Sequence, residues 1–211
     1  MKKFLTLLLT LCLAIGACQA AELTKKQRKQ IDKEAKAKLK EYKKEGWTVF
    51  GSSRTLESVL NRHLETLEEK GDDGYEVVGT AGNFKAKNIG HQQAVNDACI
   101  SYAGMAGSEV RGQVANEVKA NGTDLDDEFE HFMATYQRLV EREIKSEMQE
   151  SFSIIRELPT GGFEMQTFFI VSESAAAKAR QRAAEAALKE SETAQAHSER
   201  LSAVIRKAFE R

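Results

Sequence analysis

The chain has 211 residues, of which 41% are hydrophobic and 30% are charged. This length can bury one substantial core with additional helices, and it excludes two large domains. The formal net charge is -1, but the charges are unevenly distributed along the chain. Residues 25–44 contain nine lysines and Arg28 but only three carboxylates. The rest of the chain is therefore net acidic, which argues against nucleic acid as a partner, since phosphate binding needs a basic face.

The first residues predict export from a bacterial cytoplasm. Lys2 and Lys3 precede an apolar run over residues 4–15, which is shorter than the roughly 20 residues that a membrane-spanning helix needs. Residues 15–18 read Ile-Gly-Ala-Cys, which resembles the bacterial lipobox, in which the cysteine is lipidated and becomes the new N-terminus. We therefore predict a signal peptide over residues 1–20 and a lipid anchor, palmitate included, on Cys18.

The same segment has a second interpretation. Cleavage after Ala20 would yield a soluble periplasmic or secreted protein instead of a lipoprotein. Gln19 follows the lipobox cysteine, and resemblance to other lipoproteins implies that the lack of Asp there favours the outer membrane.

Cys12 lies within the signal peptide and Cys18 is acylated or removed, so only Cys99 remains and no intramolecular disulfide is expected. We predict Cys99 to be a small buried apolar residue on a helix.

The first half of the mature chain alternates helices and strands. Residues 21–45 predict a basic, mostly solvated spacer helix that begins with a Thr24–Gln27 capping box and carries a thin apolar line. That line comprises Ile31, Ala35, Leu39 and Tyr42. A short strand at 47–50, a helix from Leu56 to about Gly71 and a strand at 75–84 follow. Gly79 and Gly82 in the last strand would let another backbone or a helix approach closely.

The second half contains a long helix, a further helix and a hairpin. Apolar residues at three- and four-residue steps predict a helix over 91–121. Its Gly104, Gly107 and Gly112 would need a close packing partner to compensate for lost helicity, and we expect this partner to be the sheet. Thr123 or Asp124 would cap the next helix, which ends near Met148. Strands at 151–158 and 163–171 form a hairpin. Residues 173–211 are predicted to form one long helix. A line of mostly small residues at alternating three- and four-residue steps, which we call the seam, includes Ala177, Ala184, Ala187 and Ile205 and would support at most a weak coiled coil.

These elements predict an α+β fold: a small, mainly antiparallel sheet packed against a long Ala- and Gly-rich helix and flanked by N- and C-terminal helices. We place the α+β domain at residues 46–172. Three elements follow the lipobox in order. They are a glycine-bearing strand from Tyr75, a helix rich in small residues around Ala94, Ala98 and Ala106, and an aromatic strand at 167–171. This order resembles the LPP-twenty group of bacterial envelope lipoproteins over residues 75–185. The resemblance implies a lipid-anchored α+β domain with no catalytic residues to carry over.

The remaining polar residues point to no cofactor, metal or catalytic centre. His63, His91, His131 and His197 lack ligand-like spacing, and the acidic residues 124–130 suit the first turn of a helix better than a calcium loop. No nucleophile elbow or phosphate-binding loop is present in the sequence. We expect the protein not to be an enzyme.

The basic helix is the remaining functional feature. Its interpretation as a solvated spacer competes with contact between its cations and anionic lipid headgroups, for which the candidates are Lys25, Lys26, Arg28, Lys29, Lys33 and Lys36. We therefore expect a non-catalytic, outer-membrane lipoprotein that acts through a protein partner, self-association or the envelope surface. The alternative is an exported enzyme or small-ligand-binding protein whose site forms only on folding.

Overall fold

The computed structural model describes residues 23–121, 126–193 and 199–209. The predicted signal peptide and Cys18 lie outside these ranges, as do the caps predicted at Thr123 or Asp124 and residue His197. Within the described ranges the chain has the predicted α+β fold, in which six helices flank one four-stranded antiparallel sheet. None of the described helices combines the length and apolar character needed to cross a membrane.

The elements follow one another closely along the chain. They are helix α1 Lys25–Lys44, strand β1 Thr48–Phe50, helix α2 Leu56–Lys70, a 3₁₀ turn Gly71–Asp73, strand β2 Gly74–Phe84, helix α3 Lys87–Asn121, helix α4 Asp126–Ile144, strands β3 Gln149–Glu157 and β4 Phe163–Ser172, and helices α5 Glu173–Thr193 and α6 Glu199–Phe209. Helix α3 begins earlier than predicted, and α4 ends before the predicted Met148.

The sheet has the strand order β1-β3-β4-β2, and all neighbouring strands are antiparallel. β3 and β4 form the predicted hairpin, and β2 pairs along β4 from Gly74 opposite Ser172 to Phe84 opposite Phe163. Because successive side chains of a strand point to opposite faces, β4 contributes to two cores. Phe168 packs on the side of α1 and α2, whereas Met165 packs with Ala94 of α3.

Helix α1 packs against the domain along its apolar line. Its predicted Thr24–Gln27 capping box is present. Ile31 and Ala35 are buried, and the partly buried Leu39 and Tyr42 join the same apolar cluster, which contains residues of α2, β3 and β4. The helix interpreted as a spacer is therefore fixed on α2, with its other faces exposed.

A polar contact also ties the end of α1 to the sheet. Trp47 Nε1 donates a hydrogen bond to Glu45 at 3.0 Å, and Arg156 of β3 donates to the same carboxylate at 3.1 Å. The Arg156 guanidinium lies 4.5 Å from the centroid of the Trp47 ring. These contacts hold the α1–β1 connection against β3, so the orientation of α1 is set at its C-terminal end.

Helix α3 covers the other face of the sheet, where it packs on β2 and β4. The predicted buried face is confirmed, since Ala98, Tyr102, Ala106, Val110 and Val114 are buried. Cys99 is also buried, as predicted, and its Sγ lies 3.9 Å from Met148 Sδ. Small side chains on this face allow the helix axis to approach the strands closely.

The C-terminal third completes the core on α3. α4 packs against α3 and α5, and the buried side of α5 consists mainly of alanines, namely Ala176, Ala179, Ala183, Ala184 and Ala187. The predicted single helix over 173–211 contains two described helices. Leu201 and Ile205 of α6 are fully buried in the core shared with α3, and the Phe209 ring lies 5.7 Å from that of Tyr136. α6 therefore packs against this core and does not extend α5 into solvent, and the predicted seam residue Ala177 is exposed.

Candidate functional site

The outward side of α1 carries a dense positive charge. At 100° per residue, an arc of about 100° on this helix contains only lysines. These are Lys25, Lys26, Lys29, Lys33, Lys36, Lys40, Lys43 and Lys44, and all are exposed. We call this set the lysine face. It lies opposite the buried Ile31, so packing of the apolar line turns it to solvent.

The lysine face has no counter-charge of its own. Asp32, Glu34 and Glu41 all project outside the arc. Lys38, which also lies outside it, pairs with Glu34 at 3.7 Å. None of the eight lysines forms an ion pair with a described residue. Their charge is therefore available to an external anion.

The structure places most, but not all, of the candidate headgroup-binding residues on the lysine face. Lys25, Lys26, Lys29, Lys33 and Lys36 lie together on the lysine face, but Arg28 projects toward the packed side of α1. Its Nε donates to the carbonyl oxygen of Leu23 at 3.3 Å. Sequence reasoning missed Lys40, Lys43 and Lys44, although projecting the helix at 100° per residue would have found them. Cys18 lies outside the described residues.

Two histidines take part in buried or half-buried polar pairs. His63 of α2 is only 1% exposed, and its Nε2 lies 2.5 Å from Glu76 Oε2 of β2. His91 of α3 lies 3.1 Å from the carboxylate of Glu150, while His131 is exposed. No group of three or more metal-ligating side chains forms among the described residues.

The His63–Glu76 pair connects α2 with the sheet. The His63 ring sits near Phe152 and Phe168, at centroid distances of 5.3 and 6.1 Å. Burial alone would raise the pKa of Glu76, but the hydrogen bond from His63 and the charges of His63 and Lys38 lower it below its ordinary value. An ionised carboxylate only accepts, so Nε2 is the donor. This pair ties α2 to β2 of the sheet.

The lowered pKa of Glu76 predicts a pH effect on stability. Since its folded-state pKa is below the unfolded-state value, ionised Glu76 stabilises the fold above the unfolded-state pKa, and this contribution is lost as the pH falls through the folded-state pKa. We expect Glu76→Gln to be less stable than wild type at neutral pH, with the difference shrinking in acid. Urea midpoints from pH 7 to pH 3 measure this, with exposed Glu57→Gln as control. A pH-independent difference would contradict it.

Glu150 at the start of β3 joins a second polar group. Besides His91, it accepts a hydrogen bond from Ser153 Oγ at 2.8 Å, and Ser153 Oγ lies 3.1 Å from Thr167 Oγ1. Ser, His and Glu are thus neighbours, but the serine is directed to the carboxylate and not to the imidazole. In a Ser-His-acid triad the imidazole takes the proton of the serine, whereas here Ser153 Oγ donates to Glu150 and Ser153 is only 2% exposed. The arrangement does not favour acyl transfer.

Next to Glu150 a polar cleft of about 540 Å³ opens at the edge of the sheet. Its walls come from the loop between β1 and α2, from the side of α2, and from the start of β3. Arg54 and Arg62 lie on this cleft and on an adjoining groove along α2. Sequence reasoning missed both arginines, because they are separated in the chain and match no motif.

A third buried polar group lies among α3, α4 and α5. Arg180 donates to Tyr102 Oη at 2.6 Å and pairs with Glu173, while the Tyr75 and Tyr102 rings stack at 6.3 Å. Burial raises the pKa of both Tyr75 and Tyr136. The group closes the interface between helices and offers no open site.

Exposed apolar residues on α3 do not form one patch. Ile89, Ile100 and Met105 are each more than half exposed. Met105 projects to a different side of the helix from the two isoleucines, which are about 16 Å apart along the axis. Singly exposed apolar side chains are ordinary on protein surfaces.

Comparison with protein-family models, with curated proteins and with solved structures finds no match for this chain. The candidate functional surfaces are therefore defined by geometry and charge alone, and the lysine face of α1 is the most strongly marked of them.

Proposed function

We propose that the protein is a non-catalytic lipoprotein of the bacterial cell envelope, in a family like the LPP-twenty lipoproteins. In this proposal the acyl chains on Cys18 anchor the protein in the outer membrane, and the lysine face lies on anionic headgroups. The domain acts on a protein partner or on a second copy. The observation that carries the proposal is the lysine face, which is exposed, forms no ion pair with a described residue and is packed onto the domain through the apolar line of α1.

Distance and charge support contact with a membrane. Lys25 is seven residues after Cys18, so an acylated cysteine would keep the start of α1 near the surface. A 20-residue helix is about 30 Å long and can lie flat on headgroups. Each lysine close to an anionic surface contributes about 1 kcal/mol at low screening. The apolar line is used in packing on α2, so binding would be electrostatic and not insertion.

The charge distribution also favours one orientation. The chain is nearly neutral overall, so the positive α1 is balanced by a net acidic remainder. An anionic surface attracts the lysine face and repels the rest of the molecule. Because α1 and α2 cover one face of the sheet and α3 covers the other, α3 and the C-terminal helices would point away from the membrane.

Vesicle binding tests the lysine face. We expect residues 19–211, which lack the apolar leader and the acylation site, to sediment with vesicles containing 30% anionic phospholipid, in amounts that fall steeply with added salt. The triple variant Lys33→Gln, Lys36→Gln, Lys40→Gln should bind at least about tenfold more weakly, because three headgroup contacts of about 1 kcal/mol each are removed.

The control is a triple variant with the same change in net charge elsewhere. Lys85→Gln, Lys145→Gln, Lys178→Gln replaces three exposed lysines outside α1 and should bind as wild type does. Equal loss in both triple variants, or binding that ignores salt and lipid charge, would overturn the headgroup proposal. Intact mass of the native protein tests the anchor, since an unmodified N-terminus at Ala21 would refute acylation of Cys18.

A second candidate function, binding of a small ligand, is favoured by the cleft beside Glu150. Its volume lies in the range of ligand sites, and two arginines border it. The polar character of its walls suits a hydrogen-bonding anion more than an apolar molecule.

A further inference from the structure

Strand β3 extends beyond its neighbour β1. β1 pairs with Ser153, Ile154 and Ile155, whereas β3 begins at Gln149. Residues 149–152 therefore have no strand on that side within the described part of the chain. Four residues of extended backbone span about 13 Å. The N–H and C=O groups of such an unpaired edge are available to another extended chain.

The fold keeps this edge open. Gly51 directly follows β1 and has a φ of +71°, a left-handed conformation that turns the chain out of the line of β1 and toward α2. The cleft of about 540 Å³ begins where β1 stops, and residues 149–153 form one of its walls. Its lining also includes the buried apolar residues Val59, Phe152 and Ile170. The space is therefore continuous with the line of β1.

The edge is also irregular at this point. The pairing of β3 with β4 shifts register between Glu150 and Phe152, so Ser151 has no partner residue on β4. A bulge of this kind bends a strand and re-aims its groups, and bulges are frequent beside binding sites. Ser151 lies in the wall of the cleft.

Two cations beside this edge form no ion pair with a described residue. Among the described residues, Arg111, Arg138, Arg142, Arg156, Arg180 and Arg182 each pair with a glutamate. Neither Arg54 nor Arg62 does so, and both are exposed. The nearby Glu150 accepts from Ser153 and pairs with His91, not with either arginine. Two guanidinium groups that pair with no described carboxylate suit an external carboxylate, which accepts forked hydrogen bonds.

We propose that this cleft binds an extended peptide ending in a free carboxylate, the C-terminus of a partner protein. The peptide backbone pairs with residues 149–152 of β3 in the line of β1, and Arg54 and Arg62 hold its carboxylate. Strand addition provides affinity that is largely independent of sequence, and capture of the carboxylate provides selectivity for a chain end. This inference rests on the proposed function, in which the domain acts on a protein partner, and it names the class of that partner.

Random peptides are a suitable probe, because every peptide carries the backbone and terminal groups that the cleft would recognise. We expect a ¹⁵N-labelled full chain, titrated with a pool of random pentapeptides with free carboxylates, to show amide shifts at residues 149–153. A matched pool with C-terminal amides should bind at least about tenfold more weakly, because the charge-assisted hydrogen bonds are lost.

Two variants locate the interaction. The double variant Arg54→Gln, Arg62→Gln should bind the free-carboxylate pool no better than wild type binds the amidated pool. Arg138→Gln, Arg142→Gln makes the same change in charge on α4 and should leave binding unchanged. Equal response to both pools, no response at millimolar peptide, or wild-type binding by the first variant would overturn the inference. Shifts with inorganic phosphate but not with peptides would also overturn it.

The two proposals fail separately. Arg54→Gln, Arg62→Gln leaves the lysine face intact and should sediment with anionic vesicles as wild type does. If the peptide titration fails while vesicle binding succeeds, the inference about the cleft is wrong and the membrane contact stands.

Discussion

Replacing Gly79 with alanine is expected to destabilise the fold by about 3 kcal/mol, at the upper end of the cost of overpacking a core. Gly79 is the buried glycine at which β2 crosses α3. A Cβ added there would lie 1.8 Å from the carbonyl oxygen of Ala94 and 2.8 Å from the backbone nitrogen of Ala98. Both are main-chain atoms of a helix, so they cannot move aside as a side chain could.

Urea denaturation of Gly79→Ala beside Gly104→Ala measures this effect. A Cβ at Gly104 would meet nothing within 4 Å, and the position is on the exposed side of α3. Alanine there should stabilise the protein by up to about 1 kcal/mol, since it favours helix more than glycine does. A Gly79→Ala variant as stable as wild type would show that α3 does not approach β2 this closely.

The glycines show how far local sequence pattern determined the fold. The expectation of a close approach to the glycine-bearing strand is confirmed at Gly79 and is wrong at Gly82, where a Cβ would meet nothing within 4 Å. The expectation that the sheet would pack closely on the α3 glycines is wrong: at Gly107 a Cβ would meet the Gln137 side chain of α4, and Gly104 and Gly112 face open space. Periodicity identified the buried face of α3 correctly. The same periodicity, at 100° per residue, puts Gly104 on the side of α3 opposite the buried face, so its exposure could have been predicted.

Features that depend on long-range pairing could not be predicted. Local patterns gave the strands, but the order β1-β3-β4-β2 depends on which strands meet after folding. The cleft follows from the difference in length between β1 and β3, and its two arginines come together only when α2 packs beside that edge. By contrast, the lysine face is a property of one helix, so the sequence alone contained it.

Replacing His63 with alanine is the second large effect that we expect, at about 2–4 kcal/mol of lost stability. The ring is almost fully buried and packs edge-on against Phe152 and Phe168, which stack on each other at a centroid distance of 4.4 Å. Its removal leaves a cavity between α2 and the sheet and deprives Glu76 of its hydrogen-bond donor.

Two further variants separate these contributions. His131→Ala removes an exposed imidazole from α4 and should change stability by less than about 0.5 kcal/mol. His63→Gln keeps a donor that can reach toward Glu76 but loses the aromatic ring, so its stability should lie between those of His63→Ala and wild type. If His63→Ala is no worse than His131→Ala in urea denaturation, α2 is not held to the sheet by this residue. Because α1 is fixed to the domain through α2, loosening α2 should also make the orientation of the lysine face less defined. We therefore expect His63→Ala to bind anionic vesicles more weakly than wild type at temperatures below its unfolding transition.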